Sequence, residues 1–394
     1  MFAKLFILLL LILTGTGIVI GKNYLPKKDT TLIPQTTPAQ NMQAFATKTI
    51  EQAITIVAQN LEVPWALAFL PDGNLLVTER KGTIRIISKE GILDPTPIGQ
   101  ITDVLQIGES GLHGIAAHPD FSTNNFIYLY YTYKSEGENT LNRVVRYTLK
   151  NKKLSDQKIM VDKIPGALFH DGGRVKFGPD KNLYITTGDA QQPSLAQDKN
   201  SLAGKILRVT DQGEPAAGNP FVVFNTNSIV ADQKSNPSIN RLIFSYGHRN
   251  PQGITWDDQK QLWETEHGQS ATDEVNLIKP GYNYGWPIIQ GKETREGMIS
   301  PILQSGNQTW APGGIAFYKG SLYFAGLRGQ ALFKAEIQGT KLTLTEYFQG
   351  KLGRIRDVIV GPDNMLYITT SNKDGRGSPK ADDDKIIRIA PNKL

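Results

Sequence analysis

From Trp65 onward the chain alternates apolar and polar positions in short runs, each broken by a turn rich in Pro, Asp or Gly. Trp65–Thr78 is typical: an apolar run, Pro71-Asp72-Gly73, then a second run ending in Thr. Related phrases are Gly114–Asp120 followed by Phe126–Tyr130, then Val175–Thr187, Gly253–Glu264, Gly314–Phe324 and Asp357–Thr369. Period-two alternation reversed by such turns predicts β-hairpins. Further apolar runs at Gly82–Ile87, Arg143–Tyr147, Lys205–Val209, Leu332–Ile337 and Lys385–Ile389 extend the hairpins to sheets of three or four strands. Six such units predict an all-β, six-bladed β-propeller of four-stranded antiparallel blades over residues 49–394. The run Ala53–Val57 has no local partner, so it is expected to pair beside Lys385–Ile389 and join the two ends of the ring. The third and fourth units are the longest, and their insertions are expected to form loops on one face.

The N-terminus has a different texture. Lys4 precedes an apolar run from Leu5 to Ile20, the pattern of an export signal or an uncleaved membrane anchor over residues 1–21. Ala39 and Ala44 stand in plausible cleavage neighbourhoods, and residues 22–48, rich in Thr, Pro, Gln and Lys, read as a flexible linker. An exported protein, periplasmic or extracellular, either released or tethered to the membrane by its N-terminus, is the expectation. The chain lacks cysteine, which excludes disulfides, thiolate chemistry and a lipid-modified Cys anchor. The formal net charge of +6 is spread along 394 residues without a basic block, so no nucleic-acid partner is expected.

Several polar motifs interrupt the repeats. His170–Arg174 precedes the third hairpin and Thr187-Gly188-Asp189 follows it, so the two hairpin ends should place His170 beside Asp189. An imidazole next to a carboxylate is either a general base or a hydrogen-bonded rim residue. Ser245–Gly253 carries Arg249 and Asn250, which suit an oxygen-rich ligand. Arg354 and Arg356, two apart on a strand, share a face and repel unless an anion lies between them. Arg328 stands at the equivalent stage of the fifth unit. Glu264–Gln269 offers carbonyl and carboxylate oxygens for a hard cation, although no EF-hand spacing is present. His118 falls on a repeat turn and reads as structural, and Asp382–Asp384 reads as a solvated loop. There is no dinucleotide fingerprint, nucleophile elbow or zinc spacing.

Taken in order, Gly108–Phe121, His170–Asp189, Gly247–Gly253, Asp273–Ile278 with Asn283–Pro287, and Arg354–Asp357 resemble the soluble glucose/sorbosone (aldose sugar) dehydrogenases that use pyrroloquinoline quinone, PQQ. The resemblance runs from about Val63 to Ile389. It implies oxidation of an aldose at C1 to the lactone, with hydride passing to the quinone carbon C5. It makes His170 the general base and Asp189 the acid that assists it, with Glu109 near the sugar. Arg249 and Asn250 fall beside the quinone oxygens, and Arg354 and Arg356 on the carboxylates of PQQ. Arg328 stands where Lys is usual, and Thr309 matches loosely. Calcium, polarising the quinone, would take the carbonyls of Gly268 and of Gln269, where Pro is common. A second calcium would use Glu274 and Tyr284. An external electron acceptor is implied, with a monomer or homodimer open. The alternatives are a non-catalytic carbohydrate- or ligand-binding propeller and a metal-dependent lactonase on the same fold.

Overall fold

The computed structural model describes residues 53–221 and 241–394. The export or anchor segment and the linker after it therefore lie outside the described residues. Among the described residues no helix is long and apolar enough to cross a membrane.

Strand β1 (Ile54–Ala58) comes first, and the blades then follow in order. Blade one holds β2 (Pro64–Phe69), β3 (Leu75–Glu79), β4 (Thr83–Ile87) and β5 (Gly99–Gln100). Blade two holds β6 (Leu112–Ala117), β7 (Phe126–Lys134), β8 (Thr140–Lys150) and β9 (Lys153–Pro165). Blade three holds β10 (Val175–Phe177), β11 (Leu183–Thr187), β12 (Lys205–Val209) and β13 (Ile243–Tyr246). Blade four holds β14 (Pro251–Trp256), β15 (Leu262–Glu266), β16 (Glu274–Ile278) and β17 (Leu303–Gln304). Blade five holds β18 (Pro312–Tyr318), β19 (Ser321–Gly326), β20 (Leu332–Gln338) and β21 (Lys341–Tyr347). Blade six holds β22 (Ile355–Val360), β23 (Leu366–Thr370) and β24 (Ile386–Ile389), and β1 is its fourth strand. The expected six-bladed propeller is thus present, and so is the ring closure: Ile54, Thr55 and Ile56 pair antiparallel with Ile389, Arg388 and Ile387.

The alternation explains the packing. Each sheet is buried on both faces by its neighbours, so its inner strands read as nearly continuous apolar runs. Trp65, Ile84, Leu112, Leu129, Tyr131 and Val145 form the core between blades one and two. Ile355, Val358, Leu366, Ile368, Ile387 and Ile389 do the same on one side of blade six. The first strands of the blades stand side by side around the axis, β2 against β6 and β22, and β18 against β14 and β22. The Gly that opens several repeats belongs to this crowding. A Cβ on Gly114 would lie 2.4 Å from the Gly173 carbonyl, and one on Gly253 would lie 2.5 Å from that of Gly313.

One sequence expectation fails here. Of Asp382–Asp384, Asp383 and Asp384 are buried. Asp384 accepts backbone N–H groups from Val63, Asn372 and Lys373 and so ties blade six to blade one. A run of like charges resembles a solvated loop until the fold supplies N–H donors, and sequence spacing gave no sign of them. Burial raises its carboxyl pKa to about 6.

Candidate active site

A cavity of about 520 Å³ opens at one end of the axis. Its walls come from two recurring places: the loop entering a blade's first strand, and the residues just after the second strand. Arg249, Gln252, Arg354 and Arg356 come from the first; Arg80, His267, Gly268, Arg328 and Asp374 come from the second. A hairpin returns both to one end of the blade.

The hairpin of blade three brings His170 and Asp189 together as its spacing predicts. His170 Nδ1 lies 2.8 Å from Asp189 Oδ1. Asp189 is fully buried and also accepts from the Gln191 backbone N–H and from Trp286 Nε1, both at 2.8 Å. Trp286 arrives on the long β16–β17 connection, so the blade-four insertion supports the blade-three pair. His170 has a left-handed backbone, φ 65°. Gly188 permits the approach, since a Cβ there would lie 1.9 Å from the His170 carbonyl. A carboxylate with three donors is fixed in place, so it fixes the imidazole with Nδ1–H toward itself and Nε2 toward the cavity.

Glu109 lines the same wall and is held by Arg376 Nη1 at 2.6 Å. Burial alone would raise its carboxyl pKa, but the basic groups around it, His267, Arg376, His170 and Arg356, outweigh that and hold it below its usual value. Opposite stand Arg354 and Arg356, both buried. The anion that their spacing calls for is Asp374. Its Oδ2 accepts from Arg354 Nε at 2.8 Å and from Arg356 Nη2 at 3.3 Å. Burial lowers the Arg356 pKa to about 10, and it lowers those of Arg80 and Arg249 as well. Arg249 spans the floor, with Nη1 donating to the His267 carbonyl at 3.1 Å and its guanidinium 5.3 Å above the Trp286 ring. Arg328 and Thr309 line the exposed rim.

Asn250 is placed differently from the expectation. It is fully buried and absent from the cavity lining. Its Oδ1 accepts the Gly172 N–H at 3.0 Å, which anchors the loop carrying His170. Gly268 and Gln269 do line the cavity, in a loop held by Asp273, which accepts the Gly268 N–H at 2.9 Å. Glu274 and Tyr284 sit behind that wall, around a small separate void shared with Glu266. The Tyr284 hydroxyl donates to the Leu277 carbonyl and accepts the Lys279 N–H, so its oxygen is already engaged. Asn276 Nδ2 donates to Glu264, Glu266 and Glu274, and burial raises the Glu274 pKa to about 8.

Sequence reasoning missed Arg80, Gln252, Asp374 and Arg376. A signal existed for Arg80: it follows β3 directly, at the stage where Asp189, His267 and Arg328 follow their own second strands. Asp374 and Arg376 sit in an irregular Gly-rich stretch that carries no pattern.

The site can be described by its charge. Six arginines (80, 249, 328, 354, 356 and 376) face three carboxylates (109, 273 and 374) in the lining. Buried polar atoms left without a partner include Arg80 Nε, Arg249 Nε and Gln252 Oε1. Such a cavity is suited to an anion with several oxygens, beside one oriented imidazole.

A family model described as Glucose / Sorbosone dehydrogenase matches residues 61–387. The chain belongs to this family. As a glucose/sorbosone dehydrogenase family member it is 31% identical to aldose sugar dehydrogenase YliI of Escherichia coli, over 86% of this chain and 92% of that protein. It is 31% identical to quinoprotein glucose dehydrogenase B of Acinetobacter calcoaceticus, over 61% of this chain and 54% of that protein. Among solved structures, the PQQ-bound form of an aldose sugar dehydrogenase from Streptomyces coelicolor matches with a TM-score of 0.76 at 39% identity. That match covers 86% of this chain and 97% of the other. The chain is thus an oxidoreductase of the sugar dehydrogenase class, on the propeller that its repeats predict.

Proposed function

We propose that the protein oxidises an aldose at C1 to the lactone, using PQQ held in the axial cavity and calcium beside it, with His170 as general base. The charge of the cavity carries the reading. Six arginines against three carboxylates leave three positive charges in surplus, which suits a ligand with three carboxylates. Unpartnered guanidinium nitrogens on Arg80 and Arg249 supply donors for it. Arg354 and Arg356, spaced by Asp374, would hold carboxylates; Arg249 would reach a quinone oxygen; Arg328 and Thr309 would close the rim. Gly268 and Gln269 would offer their carbonyls to calcium, and Glu274 with Tyr284 is assigned to a second calcium. The fully engaged Tyr284 hydroxyl leaves its backbone carbonyl for that role.

PQQ, when bound, supplies the two-electron acceptor for the hydride from the sugar. The protein supplies the rest. Asp189 keeps the His170 proton on Nδ1, so Nε2 has a lone pair for the proton of the C1 hydroxyl. Asp189 also stabilises the imidazolium that forms. Glu109, ionised and fixed by Arg376, is placed to accept a hydrogen bond from a sugar hydroxyl. The buried arginines would stabilise the negative charge that builds up opposite the sugar, and their burial strengthens the effect. A lactonase of similar fold needs carboxylates and amides around a central metal, whereas this mouth is lined with arginine. The N-terminal apolar run supports export, and an external acceptor is needed to complete turnover.

The test is reconstitution with PQQ and calcium, following dye reduction with a panel of aldoses. Turnover that is lost in His170→Ala, with PQQ binding retained, is the expected result. PQQ binding without oxidation of any sugar would favour a binding propeller. An unchanged rate in His170→Ala would remove His170 from the role.

A further inference from the structure

The axis has a second opening. The first strands of the blades begin at the arginine-rich cavity and end at the opposite face, where about 430 Å³ is enclosed by their last residues. The two spaces are separated by a buried plug: Arg174 Nη1 bonds Asp357 Oδ2 at 3.1 Å, and the Arg174 guanidinium lies 4.5 Å above the Trp65 ring. Asp357 is already engaged on both oxygens, since it also accepts the Leu67 and Val358 N–H groups.

The lining of this far cavity is chemically lopsided. Phe69, Phe177, Phe317 and Ile359 form apolar walls, each half-buried and so accessible from the opening. Two of these rings are braced edge-on: Phe69 by Tyr367 at 5.0 Å, and Phe177 by Tyr128 and His118, each at 5.1 Å. Against these walls stand two cations and one carboxylate: Arg174, Lys176 and Asp357. Among the described residues, the Nη2 of Arg174, a side chain 7% exposed, has no partner. Among the same residues Lys176 Nζ reaches only the Ile254 carbonyl at 3.4 Å and Thr255 Oγ1 at 3.5 Å, both at the limit of a hydrogen bond. One positive charge therefore remains uncompensated at the base of an apolar funnel. Buried donors in that condition are costly unless a ligand satisfies them.

We propose that this far mouth is a second binding site, for a small carboxylate with an apolar body of about eight to ten carbons. Its head group lies on Lys176 and Arg174, and its body lies between the three phenylalanines and Ile359. The site is distinct from the sugar cavity and does not depend on the reading of that cavity. Burial lowers the Lys176 amine to about 8, which fits an ammonium lacking a counter-ion.

The test is calorimetric titration of the full-length protein, reconstituted with PQQ and calcium, with octanoate, octanol and octylamine. The proposal expects one octanoate per chain, weaker octanol binding, no octylamine binding, and no competition from glucose. Lys176→Met should weaken octanoate at least tenfold. Ile359→Glu, which puts a carboxylate at the opening, should do the same without touching the plug, and it decides the matter if Lys176→Met does not fold. Octylamine binding as well as octanoate, unchanged affinity in a folded variant, or displacement of octanoate by glucose would each overturn the proposal.

Discussion

Replacing Asp189 by Asn tests how the base is prepared, because it preserves shape while it removes one negative charge and can reverse one hydrogen bond. In the native protein Asp189 accepts three: from His170 Nδ1, Gln191 N–H and Trp286 Nε1. An Asn at this position has one acceptor oxygen and one NH₂. The indole holds Oδ2 while His170 and the Gln191 amide share Oδ1, so an amide oxygen placed on the indole turns the NH₂ toward His170. The imidazole must then accept at Nδ1, so its proton moves to Nε2, the atom that should take the sugar proton. Loss of general-base assistance lowers kcat by about 10²–10⁴-fold, or about 3–5 kcal/mol in the barrier. PQQ affinity should hardly change, because Asp189 is shielded from the cavity by His170. The assay is steady-state dye reduction by reconstituted enzyme at saturating aldose, alongside PQQ titration and a melting curve. A correctly folded Asp189→Asn enzyme with kcat within about threefold of native would refute the tautomer argument, since little of the expected loss of 10²-fold or more would then be present.

Other outcomes follow from the same geometry. Asp374→Ala leaves Arg354 and Arg356 buried and facing one another, so stability should fall by about 3–5 kcal/mol in a denaturant titration, with PQQ binding restoring part of it. Deleting residues 1–58 removes β1 and exposes the edge of β24; a lower melting temperature and aggregation on gel filtration are expected. Lys176→Met should stabilise the protein near pH 7. The folded amine has a pKa of about 8 against an ordinary 10.5, so its charge costs stability below pH 8, and that cost fades as pH rises from 8 to 10.5. The gain should reach about 1–3 kcal/mol at neutral pH and vanish near pH 10.5, as read from paired melts across pH.

The fold was legible because its signal is local and repeated. Each hairpin has its own alternation and turn, and six similar copies leave few architectures. Closure could be read too, since Ala53–Val57 lacked a partner where it stood. The His170–Asp189 pair was legible because a hairpin sets the distance between its own ends. Contacts made from irregular loops or between blades were not. Asp374 acts on Arg354 and Arg356 from an irregular loop, and Arg376 reaches Glu109 across the mouth, at a separation of 267 residues. Asp384 looked solvated because its donors, Val63 among them, come from elsewhere in the chain. Asn250 was assigned to the ligand, whereas it holds the loop beneath it; a side-chain amide serves either purpose, and only position decides.

The shared blade also sets an order of assembly. Val63 and Asp384 meet although they stand 321 residues apart, and the β1–β24 pairing spans still more of the chain. Bringing such distant segments together costs roughly 2–3 kcal/mol more in loop entropy than closing a hairpin of about 20 residues. The five blades between can form as their residues emerge from the ribosome, but the ring cannot lock until β24 has been made. Until then β1 waits as an unpaired strand at the beginning of the chain, and the arginine-rich mouth lacks Arg354, Arg356 and Asp374. The cofactor cradle is therefore finished only when blade six is made, so a chain cut within that blade would hold His170 and Asp189 but an incomplete set of arginines.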